Sequence, residues 1–244
     1  MASAPPFPLE ARSLTVRLGG HLALDRVELH LDGRARAAVL GANGAGKSVL
    51  LRTLHGLIEP DAGAVLWAGE SARATDQAMV FQRPIMLRRS ALANIEYALA
   101  VNGVGAPERE ARAREAIGRV GLAHLANRAA RVMSGGEQQR LALARAWSLR
   151  PRVIFLDEPT ASLDPAAAAE VERVMGEMHA AGCAIVFTTH HLGLARRAAD
   201  EIVFLHEGRI TEQTDVASFF ASPRSPEAAR FLKGELPWNH SPAS

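Results

Sequence analysis

Gly41-Ala42-Asn43-Gly44-Ala45-Gly46-Lys47-Ser48 stands between the apolar run Ala37 to Leu40 and the helix-forming stretch Ser48 to Leu57, and it fits the pattern G-x-x-x-x-G-K-[ST]. A strand that enters such a loop and leaves it as a helix makes a cradle for phosphate. The helix N-terminus offers unpaired N–H groups and partial positive charge, and glycines let the backbone approach the phosphates. Lys47 is placed to reach the β- and γ-phosphates and Ser48 to ligate Mg2+. Lys47 is also one of two lysines, with Lys233, among the chain's 28 cationic side chains; the others are arginines.

Two further segments extend this reading. Val153-Ile154-Phe155-Leu156-Asp157-Glu158 is an apolar run ending in two carboxylates, as a buried strand of a parallel sheet delivers them at its carboxyl end. Read alone, it is also what a solvated strand end looks like. Beside a phosphate loop, Asp157 is expected to hold Mg2+ through water and Glu158 to polarise the attacking water as general base. Neighbouring strand residues face opposite ways, so both acids serve one site only if the strand ends there, and Pro159 supplies that stop. Ser134-Gly135-Gly136-Glu137 opens another helix with Ser at the N-cap and Glu at the third helical position, a capping box. It is an ordinary helix start and also a second helix N-terminus able to face a phosphate.

Around these motifs the pattern predicts short strands at Leu14 to Leu18, Val27 to Leu31 and Ala35 to Leu40, grouped as antiparallel strands separated by Gly19-Gly20 and Asp32-Gly33. Strands at Ala64 to Trp67 and Ala78 to Phe81 follow. Helical spacing of Leu92, Ile95, Leu99, Ile117 and Val120 points to an inserted helical subdomain at about 84–150. After it, helices Gly135 to Leu149, Pro165 to Ala181 and His191 to Ala199 alternate with strands Val153 to Leu156, Ala184 to Thr188 and Ile202 to Leu205. The expected class is α/β, a P-loop NTPase core with a mostly parallel sheet, an N-terminal antiparallel β subdomain and the helical insertion, as one domain over 1–244.

Composition sets outer bounds. With 244 residues, 48% of them hydrophobic, the chain builds a sizeable core, and its apolar runs of four to six residues fall short of the ~20 needed to span a bilayer. Met1 to Pro8 carries neither a basic start nor an apolar stretch, so no secretory signal is read. The single Cys183 fits a reducing compartment, and a net charge of +2 gives no argument for nucleic acid as a partner.

Six elements stand in a fixed order: Gly41 to Ser48, Gln82 after a strand, Met133 to Arg140, Val153 to Glu158, Ser162-Leu163-Asp164, and Thr189-His190. In order and spacing they resemble the ATP-binding cassette (ABC) ATPases, over essentially the whole chain. The resemblance implies ATP and Mg2+ as cofactors. It implies ATP contact by Gly41, Ala42, Asn43, Gly44, Ala45, Gly46, Lys47 and Ser48, and Mg2+ ligation by Ser48, Gln82 and Asp157. It implies Glu158 and His190 as catalytic residues and Asp164 as a signal between two sites. Ser134, Gly135, Gly136 and Glu137 would contact ATP bound to the opposite subunit of a head-to-tail homodimer. Three positions depart from the pattern: where the family usually stacks an aromatic ring on adenine, this chain has Leu18, which covers the base by apolar contact only, and Met133 and Glu137 stand in place of the commoner Leu and Gln, Met filling a similar volume and Glu keeping the helix cap.

In the transporter branch of the family, the groove beside the Gln82 loop receives a helix from a transmembrane permease subunit. Pro84-Ile85-Met86-Leu87 followed by Arg88-Arg89 offers an apolar socket with a basic rim, although these apolar residues also suit packing inside the subdomain. The implied role is the ATPase of a bacterial importer, held in the cytoplasm on the inner face of the membrane and working indirectly with a periplasmic solute-binding protein. Phe219-Phe220, Phe231 to Glu235 and Tyr97 to Val104 most resemble oxyanion importers, with tungstate ranked first as cargo. The alternatives are a phosphate or polar amino acid importer and, in a different class, a soluble ABC ATPase acting on nucleic acid or the ribosome.

Overall fold

The structure, a computed structural model, describes residues 7–68 and 77–235. The proline-containing ends at Pro5, Pro6 and Pro237 to Ser244 lie outside the described residues. The chain divides into two compact units, one of residues before 76 together with those from 184 onward, the other of residues 76–183.

The first unit opens with an antiparallel sheet in the order β2-β1-β4, built from β1 (Leu9–Leu18), β2 (His21–Leu31) and β4 (Ala62–Trp67). Leu9 and Ala11, then Leu14 and Val16, are buried on β1; Leu24, then Val27, Leu29 and Leu31, on β2. The apolar alternation skips one residue on each strand, at Ser13 and at Arg26, and both take positive φ, 47° in each case. These bulges absorb the extra residue and return the apolar side chains to the same face.

The same unit holds β3 (Ala37–Leu40), β7 (Ala184–Thr189), β8 (Glu201–His206) and β9 (Arg209–Asp215), in the order β7-β3-β8-β9. β3 is parallel to both neighbours and all four of its residues are buried, which is why it reads as an unbroken apolar run. Ala35 to Leu40 therefore does not belong with the antiparallel strands, as its spacing suggested; the strand is Ala37–Leu40 and it is central in a parallel array. Arg36 ties its entrance to the start of β8, gripping Asp200 with two nitrogens at 2.9 and 2.7 Å. α7 (Val216–Ala221) and α8 (Pro226–Leu232) follow β9, and buried Phe219 and Phe231 lie 5.7 and 5.3 Å from the ring of Phe204 on β8. Helices α1 (Lys47–His55) and α6 (Leu192–Ala198) complete the unit.

His55, in the last turn of α1, is held below the ordinary histidine value by burial. The unfolded chain takes up this proton near pH ~6.5 and the folded chain only at lower pH. Between those values the unfolded state binds more protons, so stability is full above ~6.5 and declines as pH falls through the folded value. Thermal unfolding should give a lower midpoint at pH about 5.5 than at about 7.5, and His55→Gln should narrow the difference. A gap of equal size in the variant would remove His55 as a cause.

The second unit pairs β5 (Gln77–Val80) in parallel with β6 (Val153–Leu156), with helices α2 (Ala91–Val101), α3 (Ala106–Arg119) and α4 (Gly135–Trp147) between them in sequence. α5 (Pro165–Ala180) follows β6, started by Asp164, whose carboxylate accepts from Ala167 N–H at 2.9 Å. Among the described residues no helix is long and apolar enough to cross a membrane.

Candidate functional site

In the first unit, Leu40 of β3 pairs with Thr189 of β7, so Gly41 and His190 leave the sheet side by side at the carboxyl ends of two parallel strands. Lys47 is buried, and its Nζ folds back to donate to the carbonyls of Gly41 and Ala42, both at 2.9 Å. That closes the loop into a ring before α1 begins. The glycines of this loop have more than one reason to be there. A Cβ on Gly41 would stand 2.2 Å from the Leu205 carbonyl oxygen, and one on Gly46, at φ +102°, 2.6 Å from that of Ala23. The loop is thus wedged between backbone of β8 and β2, whereas at Gly44, with φ +81°, a Cβ would meet nothing within 4 Å. The outer side of the loop is the face left clear for a ligand.

Ser48 is half-buried in the first turn of α1, and half-buried His190 lies beside His191, ring centroids 4.1 Å apart. His191 N–H donates to Thr189 Oγ1 at 3.0 Å, fixing the turn out of β7. Leu18 ends β1 at 43% exposure, an apolar side chain left to solvent immediately before the Gly19-Gly20 turn.

In the second unit, Val80 pairs with Leu156 and the Asp157 N–H donates to the Val80 carbonyl at 2.9 Å. Gln82 and the Asp157-Glu158 pair therefore leave adjacent strands at the same end. Asp157 and Glu158 are both buried, Gln82 exposed. Glu158 has φ +47°, a left-handed backbone that an L-residue adopts at a cost of about 1–2 kcal/mol. β6 has ended at Leu156, so this twist, followed by Pro159, frees Glu158 from the strict alternation that would have turned it away from Asp157.

Ser134 accepts from the Glu137 N–H at 3.3 Å, and Glu137 accepts from the Ser134 N–H at 2.8 Å, closing the capping box expected from sequence. The Ser134 N–H holds the Glu137 carboxyl below its ordinary value. A Cβ on Gly136 would meet the Ala167 Cβ at 2.6 Å, so this glycine is set by the close approach of α4 to α5. Exposed Ser134, Gly135 and Asp164 thus belong to two neighbouring helix starts.

One residue that the motifs do not reveal shapes the loop after Gln82. Asn94 is fully buried on α2; its Oδ1 accepts from Leu87 N–H at 2.9 Å and its Nδ2 donates to the Ser90 carbonyl at 2.9 Å. Arg131 and Arg145 hold the neighbouring carbonyls of Met86 and Ile85 at 3.1 and 2.9 Å. The loop is pinned by its backbone while the Ile85 side chain stays 76% exposed. A buried Asn on an apolar helix face is the only sequence signal, and it does not say which backbone it serves. Cys183 is buried, and burial pushes its thiol up to about 12, the opposite of an activated thiolate.

Comparison with known proteins agrees with this geometry. The family profile described as "ABC transporter" matches residues 24–161. The arginine/ornithine transport ATP-binding protein of Pseudomonas aeruginosa is 35% identical over 252 residues, spanning 94% of this chain and 99% of that protein. The L-cystine transport system ATP-binding protein of Escherichia coli is 34% identical, spanning 92% and 97%. Among solved structures, cbiO1 of Clostridium perfringens, part of the ABC transporter complex cbiONQ, superposes with a TM-score of 0.81 at 27% identity, covering 95% of this chain and 96% of its own. A dimeric ATP-binding cassette in a post-hydrolysis state, bound to ADP and Pi, reaches a TM-score of 0.75 at 27% identity, covering 85% and 98%. With its phosphate loop, its paired acids and more than half its length inside the family profile, this chain belongs to the ABC transporter family as an ATP-binding cassette ATPase subunit.

Proposed function

We propose that this chain is the ATP-hydrolysing subunit of an importer for a polar amino acid. The observation that carries the cargo is the end-to-end likeness to a subunit named for arginine and ornithine transport. The relatives named for arginine/ornithine, L-cystine and histidine transport favour an amino acid over tungstate, and the sequence basis for ranking tungstate first has another explanation. Phe219 and Phe231 are buried against Phe204, and Tyr97 carries the Arg89 guanidinium 4.8 Å above its ring. Those features serve packing and have no reason to track cargo. Uptake of labelled arginine, ornithine, cystine and histidine should fall in cells lacking this chain, with tungstate, molybdate, sulfate and phosphate unchanged. Loss confined to an oxyanion would overturn the reading.

In the proposed reaction, the ring of backbone closed by Lys47 receives the ATP phosphates at the α1 N-terminus. The oxygen donors Ser48, Gln82 and Asp157 suit Mg2+, a hard cation that keeps several waters; when bound, it neutralises phosphate charge. Glu158 takes a proton from the attacking water and His190 donates a hydrogen bond to the γ-phosphate. The Ser134 to Glu137 helix start serves the nucleotide of a second copy, and Asp164 beside it links the two. Leu18 covers adenine without stacking.

The loop pinned by Asn94, Arg131 and Arg145 is the proposed seat of a transmembrane permease subunit, which would hold the chain on the cytoplasmic face of the membrane and put it in indirect reach of a solute-binding protein. Ile85 is its most exposed large apolar side chain. Burying such a side chain is worth about 1.5–3 kcal/mol, so Ile85→Asp should weaken copurification with the membrane subunit by about tenfold or more. ATP affinity of the isolated chain should stay as it was. Undiminished copurification would move the docking surface elsewhere.

A further inference from the structure

The second unit carries a half-open pocket of about 400 Å3 that the reaction above does not use. Arg112 and Arg119 come to it from α3, Trp147 from the end of α4, Arg150 and Arg152 from the turn into β6, and Cys183 from the segment after α5. Its lining holds four arginines against a single glutamate, in a chain whose 28 cationic and 26 acidic side chains nearly balance. Arginine-rich composition alone does not produce that local excess, because acids are almost as frequent.

Three of these cations, Arg112, Arg119 and Arg150, differ in what they hold. Arg112 is committed to structure: it donates to the Ser148 carbonyl at the end of α4 and to Glu108 at 3.1 Å, a cation on the negative end of a helix. Arg119 pairs with Glu115 at 2.6 Å and lies 4.8 Å over the Trp147 ring, which fixes the indole as a wall. Arg150 is exposed, and its guanidinium makes no hydrogen bond or ion pair among the described residues. Its backbone is nonetheless fixed: Arg150 has φ +54° and its N–H donates to the Trp147 carbonyl at 2.8 Å. The cavity thus has a buried apolar floor that includes Ala116, an aromatic wall, and at its rim a charged fork on an anchored turn.

We propose that this pocket binds a small organic anion carrying a phosphate or carboxylate group, its oxyanion held by the Arg150 guanidinium and its carbon body against Trp147 and Ala116. Guanidinium forks match both oxyanions, and the volume suits a small metabolite. None of the lining residues belongs to the nucleotide motifs, so the site is independent of ATP. A ligand here touches α3, α4 and the entrance to β6 at once and binds only the folded chain, which raises its thermal midpoint.

The test uses the full chain with Trp67→Phe and Trp238→Phe, leaving Trp147 as the reporting indole, and saturating Mg2+ and ADP to occupy the phosphate loop. The probe is 3-phosphoglycerate, with glycerol and chloride of matched ionic strength as controls. The expected result is a saturable change in fluorescence with a Kd below about 1 mM and a higher thermal midpoint. Arg150→Gln, at an exposed position, should weaken binding about tenfold while ATP turnover without ligand is unchanged. No saturation, or equal binding by the Arg150→Gln chain, overturns the proposal. So does equal binding of inorganic phosphate, which would make the site one for an adventitious ion only. A response to phosphatidylglycerol vesicles without one to 3-phosphoglycerate overturns it in favour of a lipid headgroup.

Discussion

A Glu158→Gln chain is expected to bind ATP as the parent does and to hydrolyse it about 10²–10⁴-fold more slowly, the range over which a positioned general base accelerates a reaction. Glutamine keeps the shape of the side chain in its buried position and the same positive φ, so the fold has no reason to change. What is lost is the capacity to accept a proton from water. The head-to-tail dimer should then accumulate in the presence of ATP, because the nucleotide that holds it closed is no longer consumed. Phosphate release, nucleotide binding and sedimentation in ATP measure the three parts separately. Turnover within about threefold of the parent would remove Glu158 as the base, since loss of a positioned base costs at least ~10²-fold.

Gly46→Ala should have the largest effect on the phosphate loop itself. Its φ of +102° lies beyond the left-handed region L-residues tolerate, and the added Cβ would stand 2.6 Å from a backbone oxygen of β2 that has no freedom to swing aside. Together these cost about 2–3 kcal/mol, and the loop can relieve them only by moving the N-terminus of α1. Nucleotide affinity should drop along with stability. The contrasting substitution is Gly176→Ala in the middle of α5, where a Cβ meets nothing within 4 Å; it should stabilise by about 0.4–1 kcal/mol. Equal denaturation midpoints for the two variants would show that the loop is not wedged as described.

The parts of the fold that sequence disclosed and the parts it hid differ in physical kind. β6 and β7 are buried along their whole length, and their alternation with helices points to a parallel sheet; β3 is equally buried, but its place just after the Asp32-Gly33 turn made it look like one more antiparallel strand. β1 and β2 begin at Leu9 and His21, well before Leu14 and Val27 where alternation pointed, because the bulges at Ser13 and Arg26 break the period of two. No pattern in the sequence marks β9 (Arg209–Asp215). Its sequence, Arg-Ile-Thr-Glu-Gln-Thr-Asp, is polar, and it is a strand because Glu207 and Gly208, both at positive φ, fold it back on β8. The nucleotide motifs were legible because their chemistry demands fixed residue types at fixed spacing. Asn94, Arg131 and Arg145 act on backbone carbonyls and amides remote in sequence, which no local pattern encodes.

The left-handed backbone at Glu158 bears on how this protein can be improved. A redesign that chose residues by conformational preference alone would install glycine or asparagine at 158 and gain on the order of 1 kcal/mol. It would also delete the buried carboxylate. With Glu158 as the proposed base, thermal hardening and turnover compete at this one position, and a library screened for heat resistance without an activity gate should enrich inactive chains there first.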